Sequence, residues 1–120
     1  MSYTFYLWVG LGGAIGSILR GAMNRLIPFQ LNTFSWSTFV VNMLGCLLIG
    51  FLWLKIESDD QKAFWVTGFL GGLTTFSGLG LELMRYLNEK NYGLAIIYGL
   101  SSVLVGILLV WLGQKLASSF

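Results

Sequence analysis

Four long apolar runs, separated by short polar segments, dominate the pattern of the chain. They cover residues 3–19, 36–54, 63–81 and 92–113. Each run holds about 17–22 residues, and a helix of that length crosses the roughly 30 Å hydrocarbon core of a bilayer. We therefore predict an all-α membrane protein with four transmembrane helices. The spans are expected at about 3–25, 35–55, 63–86 and 92–116.

Composition supports the membrane assignment, since 56% of the 120 residues are hydrophobic and only 10% are charged. The first run is interpreted as a span rather than a cleavable signal peptide, because no basic residue precedes it and Asn24 and Arg25 follow it. The connections, at 26–35, 56–62 and 87–91, are too short for a second domain. Residues 1–120 are predicted to form one multi-pass membrane domain.

Basic residues are nearly balanced between the two predicted sides of the membrane. The side that holds both termini carries Lys55, Lys62 and Lys115, and the other carries Arg25, Arg85, Lys90 and, if it extends outward, Arg20. Because the positive-inside rule then gives almost no preferred orientation, we expect insertion in both orientations and pairing as an antiparallel dual-topology homodimer. The alternative is a single orientation set by another signal.

Small residues at regular spacing predict close helix packing, which in lipid depends on backbones approaching one another. Gly12 and Gly16 form a small-xxx-small pair in the first span. Gly99, Gly106 and Gly113 recur every seven residues in the fourth span. These faces are expected to hold helices, and copies of the chain, together.

The usual components of catalysis are missing from the sequence. It has no His, and Cys46 is alone in an apolar run. No acids are spaced as a catalytic pair within the spans. We predict that the protein is not an enzyme and does not bind nucleic acid. Asp59 and Asp60 are expected in a solvated turn.

Uncharged polar residues at membrane depth are the candidates for function. Thr38 and Asn42 share a face of the second span, and Tyr98, Ser101 and Ser102 share one of the fourth. Polar groups at this depth face a partner helix or a wet cavity, so each has either a binding role or a purely interhelical one. Serine also bonds back to its own helix, and we expect this of one of the two serines.

The third span is interrupted by residues that weaken a helix. Gly71, Gly72 and the Thr74–Thr75 pair come first, and Gly78 and Gly80 follow. We expect a helix broken at mid-membrane, which exposes backbone groups of the kind that transporters use to hold ions. Phe76 stands between the two expected breaks and can offer a positive ring edge to an anion. Together with Asn42 and the hydroxyls, this segment predicts a path for a small hydrated anion.

Three segments resemble one family, the small bacterial fluoride channels known as Fluc or CrcB. Residues 71–82 resemble its Gly-Gly-hydrophobic-Thr-Thr-Phe-Ser-Thr-Phe-Ser-x-Glu signature. Residues 40–46 resemble its Val-Asn-x-x-Gly-Cys/Ser block, and residues 12–20 its opening Gly-Gly-x-x-Gly-x-x-x-Arg. The motifs occur in order and extend over nearly the whole chain.

The resemblance implies passive fluoride export through the inner cell membrane, which relieves fluoride toxicity, by antiparallel dimers with two pores. It implies that Asn42 donates to the ion, that Phe76 offers its ring edge and that Ser77 supplies a hydroxyl. Tyr98 would be a pore-side tyrosine, and Arg20 would concentrate anions at the vestibule. Backbone carbonyls of Gly71 and Thr74 would hold a structural sodium ion (Na+) at the dimer centre. The predicted anion pathway is completed by Thr38 and Ser102.

One position departs from the family pattern. Leu79 replaces the second phenylalanine, and Gly78 and Gly80 replace the adjacent Thr and Ser. The chain is then either a slower channel, one with another wet pathway through the extra glycines, or a subunit that works beside a paralogue.

Two other function classes compete with the channel. A four-span drug exporter needs a carboxylate deep in the first span, and none is present. Glu82, at the end of the third span, is expected to cap a helix or to pair with Arg85. A non-conducting assembly subunit would use the glycine faces but would not need Asn42, Phe76 and the broken helix at one place.

Overall fold

The protein is all-helical in a computed structural model that describes residues 3–120. This confirms the predicted all-α class. The first two long helices are α1, Tyr3–Leu26, and α2, Trp36–Lys55. The third span consists of α3, Asp59–Lys62, a π-helical segment, Ala63–Leu70, and α4, Gly71–Leu73, followed after a break by α5, Phe76–Asn88. The last helix is α6, Tyr92–Ser118.

Three helical stretches among the described residues are long and apolar enough to cross a membrane. They are Trp36–Lys55, Asp59–Asn88 and Tyr92–Ser118. The remaining predicted span is the first one, α1. It has the necessary length at 24 residues, but its glycines and Arg20 lower its mean hydropathy. By length and composition the chain is a multi-pass membrane protein.

The glycine pair of α1 packs directly on the first half of the third span. A Cβ atom at Gly12 would collide with the backbone oxygen of Phe64, and one at Gly16 with that of Phe69. Gly72 is in turn pressed against the backbone of α1. The absence of side chains lets the two backbones touch, as close contact in lipid requires.

The glycines of α6 serve a similar purpose against α2. A Cβ atom at Gly113 would meet the backbone oxygen of Leu47, and Gly106 lies against the Cys46 sulfur. Gly99 lies farther along, beside the Leu83 side chain of α5. The glycine stripes are therefore packing faces, and the helices that they contact in this structure belong to the same chain.

The third span begins one turn earlier than the sequence pattern indicated. Asp59 and Asp60 are exposed, as expected, but they lie in the first turn of a helix rather than in a loop. The Ser58 side chain accepts a hydrogen bond from the Gln61 amide at 3.3 Å and caps the helix. Two carboxylates at this end also interact favourably with the helix dipole.

An aromatic cluster closes the opposite end of the bundle. Buried Tyr86 and Tyr98 pack there with partly buried Phe29, Phe34 and Phe39. The Tyr86 hydroxyl donates to the Thr33 carbonyl at 2.6 Å, which fastens the α1–α2 connection to α5. This end of the molecule is held by ring packing and side-chain hydrogen bonds rather than by glycine contacts.

Candidate functional site

The break in the third span lies at two threonines, not at the glycines that precede them. Gly71 keeps helical angles, with φ −61° and ψ −36°. Thr74 and Thr75 are extended, with ψ of 157° and 119°. The Thr74 amide and hydroxyl both donate to the Leu70 carbonyl, at 3.0 and 2.9 Å, and so end the first half-helix. Gly71 and Gly72 remain helical, and Gly72 makes a close backbone contact with α1.

Asn42 of α2 holds the interrupted backbone in place. Its Oδ1 accepts from the Thr75 amide at 2.8 Å, and its Nδ2 donates to the Thr75 carbonyl at 3.1 Å. One side-chain amide thus satisfies both backbone groups of a residue that has left the helix, as membrane depth requires. The second hydrogen of Nδ2 is not used in this pair.

The expected second interruption, at Gly78 and Gly80, is absent from the described structure. The helix α5 runs through both glycines without a break. Thr75 caps it, since its hydroxyl accepts from the Gly78 amide at 2.9 Å. The N-cap at Thr75 and the hydrogen bonds within α5 outweigh the weak helix propensity of the two glycines. Phe76 is therefore the first residue of a helix rather than part of a segment between two breaks.

A cavity of about 480 Å³ opens beside the break. Five residues predicted from the sequence line it: Asn42, Gly71, Thr74, Phe76 and Ser102. Its other walls are largely apolar, and one of them carries the Cys46 thiol. The Phe76 side chain is 84% exposed in the single chain. The fold therefore brings α2, α5, α6 and the broken segment together at this cavity.

The two serines of α6 have different roles. Ser101 donates back to the Tyr98 carbonyl of its own helix at 3.2 Å, as was expected of one serine. The Ser102 hydroxyl is buried without a hydrogen-bond partner and lies on the cavity. A buried hydroxyl that lies on a cavity and has no hydrogen-bond partner is able to bind a polar ligand.

Thr38 and Tyr98 do not line this cavity; both are buried among the helices. The Tyr98 hydroxyl donates to Glu82 Oε1 at 2.8 Å. Glu82 is thus bonded to α6, whereas Arg85 lies over the Phe29 ring at 4.5 Å, so the expected pairing of Glu82 with Arg85 is wrong. Local spacing could not reveal this bond, since its partners are 16 positions apart.

Arg20 is half-buried and bonded to the broken helix. Its Nε donates to the Gly72 carbonyl at 2.9 Å. Gly72 lies in the last turn before the break, where helix carbonyls lack partners and a cation is favourable. The sequence motif placed Arg20 near the anion path, but it gave no sign of this cap.

Ser77 and Leu79 lie on different faces of the first turns of α5. Ser77 is exposed, and its hydroxyl is 3.3 Å from that of Thr75. Leu79 is only 9% exposed and packs in the cluster that contains Tyr86, Ala95 and Tyr98, while part of it borders the cavity. Leu79, the residue that departs from the family motif, is therefore also a core residue.

Comparison with known proteins shows the family of the chain. The family model described as CrcB-like protein, Camphor Resistance (CrcB), matches residues 7–114. A fluoride-specific ion channel FluC of Helicobacter pylori strain J99 is 42% identical over 96% of this chain and 94% of its own length. One from H. pylori strain G27 is 42% identical over 100% of this chain and 97% of its own length. One from Thermus thermophilus is 41% identical over 95% of each. The chain belongs to the CrcB-like family.

Proposed function

We propose that the protein is a fluoride-selective ion channel that lets fluoride leave the cell passively and thereby relieves its toxicity. Relatives at about 40% identity over nearly the full length are fluoride-specific ion channels. The activity is passive transport, so no catalytic group is required.

The observation that carries this proposal is the set of uncharged donors on one cavity beside the broken helix. The unused Nδ2 hydrogen of Asn42 and the free hydroxyl of Ser102 are the polar donors. Phe76 adds a ring edge, which is electropositive. Donors of this kind replace the water around a small anion, and because none carries a full charge, the ion is released again.

We further propose an antiparallel dual-topology homodimer in the inner cell membrane, with two pores lined by both copies. Gly71 and Phe76 are exposed in the single chain although they border the cavity. A second copy laid against this face would cover both residues and complete the walls of the path. The near-balance of basic residues on the two sides permits the opposite orientations that such pairing needs.

A structural sodium ion at the dimer centre fits the residues present. The Thr75 amide donates to Asn42 rather than to the carbonyl of Gly71, four positions before it, and Thr74 is extended. Carbonyls at the end of a half-helix and in unwound backbone are the ligands that membrane proteins offer to sodium. Gly71 and Thr74 would supply them from each copy, and the bound ion would supply positive charge that holds the two broken helices together.

The test is fluoride efflux from liposomes that contain only this purified chain, followed with a fluoride electrode. We expect efflux well above that of empty vesicles and little efflux of chloride under the same gradient. Fluoride efflux no faster than from empty vesicles would refute a self-sufficient channel.

A second candidate, a subunit that conducts only beside a paralogue, is favoured by Leu79 in place of the second phenylalanine. It predicts that the purified chain alone gives no fluoride efflux from the same vesicles and that a co-purified related chain restores the efflux. The single-chain experiment therefore separates the two candidates.

A further inference from the structure

A recess with aromatic walls lies where the first half of the third span begins, at the opposite end of that half from the break. Trp8, Asp60, Gln61, Phe64 and Trp65 line it, and its volume is about 180 Å³. We call it the aromatic recess. It shares no residue with the cavity beside the break.

The three rings of the aromatic recess meet nearly at right angles. The Trp8 and Phe64 centroids are 6.0 Å apart with an interplanar angle of 84°, and those of Phe64 and Trp65 are 5.0 Å apart at 85°. Rings that line one recess at different angles are able to present electronegative faces to its occupant. Such faces favour a cation, above all at tryptophan.

Charge complementarity points to the same kind of occupant. Asp60 adds a carboxylate and Gln61 an amide oxygen, both of which accept hydrogen bonds. The neighbouring Lys62 does not line the recess, and its ammonium lies 5.1 Å above the Trp53 ring instead. These acceptors favour a cation that carries N–H donors over a quaternary ammonium, which has none.

The residues that form the aromatic recess are typical of the depth at which lipid head groups lie. It is formed by the polar first turn of the third span and by two half-exposed tryptophans, 40% and 41% exposed, and tryptophan is enriched at this depth of a membrane. Its volume is smaller than that of a typical drug-sized site. We propose that the aromatic recess binds the primary ammonium of a lipid ethanolamine head group, with Asp60 as its counter-charge.

Native mass spectrometry of the purified full-length chain, titrated with phosphatidylethanolamine in detergent, tests this proposal independently of fluoride conduction. We expect tighter binding of phosphatidylethanolamine than of phosphatidylcholine or phosphatidylglycerol. Asp60→Asn should weaken the binding of phosphatidylethanolamine about fivefold. Trp65→Leu, which removes a ring but no charge, should have a similar effect.

Asp59→Asn is the matched control, because Asp59 is the adjacent exposed carboxylate and does not line the recess. It should leave the affinity for phosphatidylethanolamine unchanged. Equal affinity of Asp60→Asn and the unmodified chain would overturn the proposal. So would equal binding of phosphatidylglycerol, or of phosphatidylcholine, whose ammonium has no N–H group.

Discussion

At the scale of single residues, Asn42 has a role both in the fold and in the proposed fluoride path. Its amide is bonded to both backbone groups of Thr75, and one N–H remains for the cavity. The sequence placed an amide at mid-membrane but left an interhelical bond and an ion contact as alternatives. The structure shows the interhelical bond, and the same side chain is still able to take part in the ion contact.

Replacing Asn42 with Ala should lower both stability and fluoride efflux. The Thr75 amide and carbonyl would lose their partner, at a cost of about 1–3 kcal/mol for each buried group left unpaired. Efflux should fall about tenfold or more, since a barrier raised by 1.4 kcal/mol has that effect. Thermal unfolding in detergent and the electrode assay measure the two quantities.

Asn24→Ala is a suitable control for Asn42→Ala. Asn24 is another amide in a hydrogen bond between helices, with Ser37 at 2.6 Å, but it does not line the cavity. It should leave efflux unchanged. If Asn42→Ala conducts as well as Asn24→Ala, then Asn42 has no part in the pathway.

Leu79→Phe tests the departure from the family motif. Because Leu79 is nearly buried against Tyr86 and Tyr98, the larger ring should cost about 1–3 kcal/mol through overpacking. We expect a lower unfolding temperature together with faster fluoride efflux, as the cavity gains a ring edge. Unchanged efflux from a folded variant would show that this position does not limit conduction.

At the scale of elements, glycine decides which helices touch. Gly12 and Gly16 are buried under the third span, whereas a Cβ atom added at Gly10, on the same helix, would have nothing within 4 Å. Spacing in the sequence identified the packing faces. It could not tell a contact within the chain from one between copies, because both need the same small residues.

Gly12→Ala and Gly10→Ala form a matched pair on α1. The first puts a methyl group into the Phe64 backbone oxygen, which cannot move aside as a flexible side chain does. Its unfolding free energy should fall by about 1–3 kcal/mol. The second meets open space and should be neutral or stabilising, by up to about 1 kcal/mol, because alanine favours a helix. Equal stability of the two variants would contradict the packing argument.

At the scale of the whole molecule, the broken span leaves its most distinctive groups uncovered in one chain. Gly71 and Phe76 are exposed, and the Gly71 carbonyl has lost the Thr75 amide to Asn42. Two carbonyls from one chain are too few to surround a cation. In the proposed assembly the second copy supplies the further carbonyls that the cation needs. The cation in turn holds the two copies together.

Replacing sodium with a bulky organic cation should weaken the dimer. If carbonyls from both copies share the ion, its loss leaves those oxygens unpaired, and we expect about tenfold weaker association, or 1.4 kcal/mol. Gel filtration or mass photometry in matched detergent buffers measures the dimer fraction. An unchanged dimer fraction and unchanged efflux without sodium would argue against the ion site.

The sequence by itself determined the helical class, the multi-pass membrane character, the position of the break to within a few residues and the family, because these depend on run length, composition and local motifs. Only the tertiary structure decided that Thr74 and Thr75, rather than Gly71 and Gly72, leave the helix. It alone showed that Asn42 is bonded to Thr75, Glu82 to Tyr98 and Arg20 to Gly72. The physical reason is that buried polar groups must find partners, and these partners are distant in the chain and are brought within reach only when the helices pack.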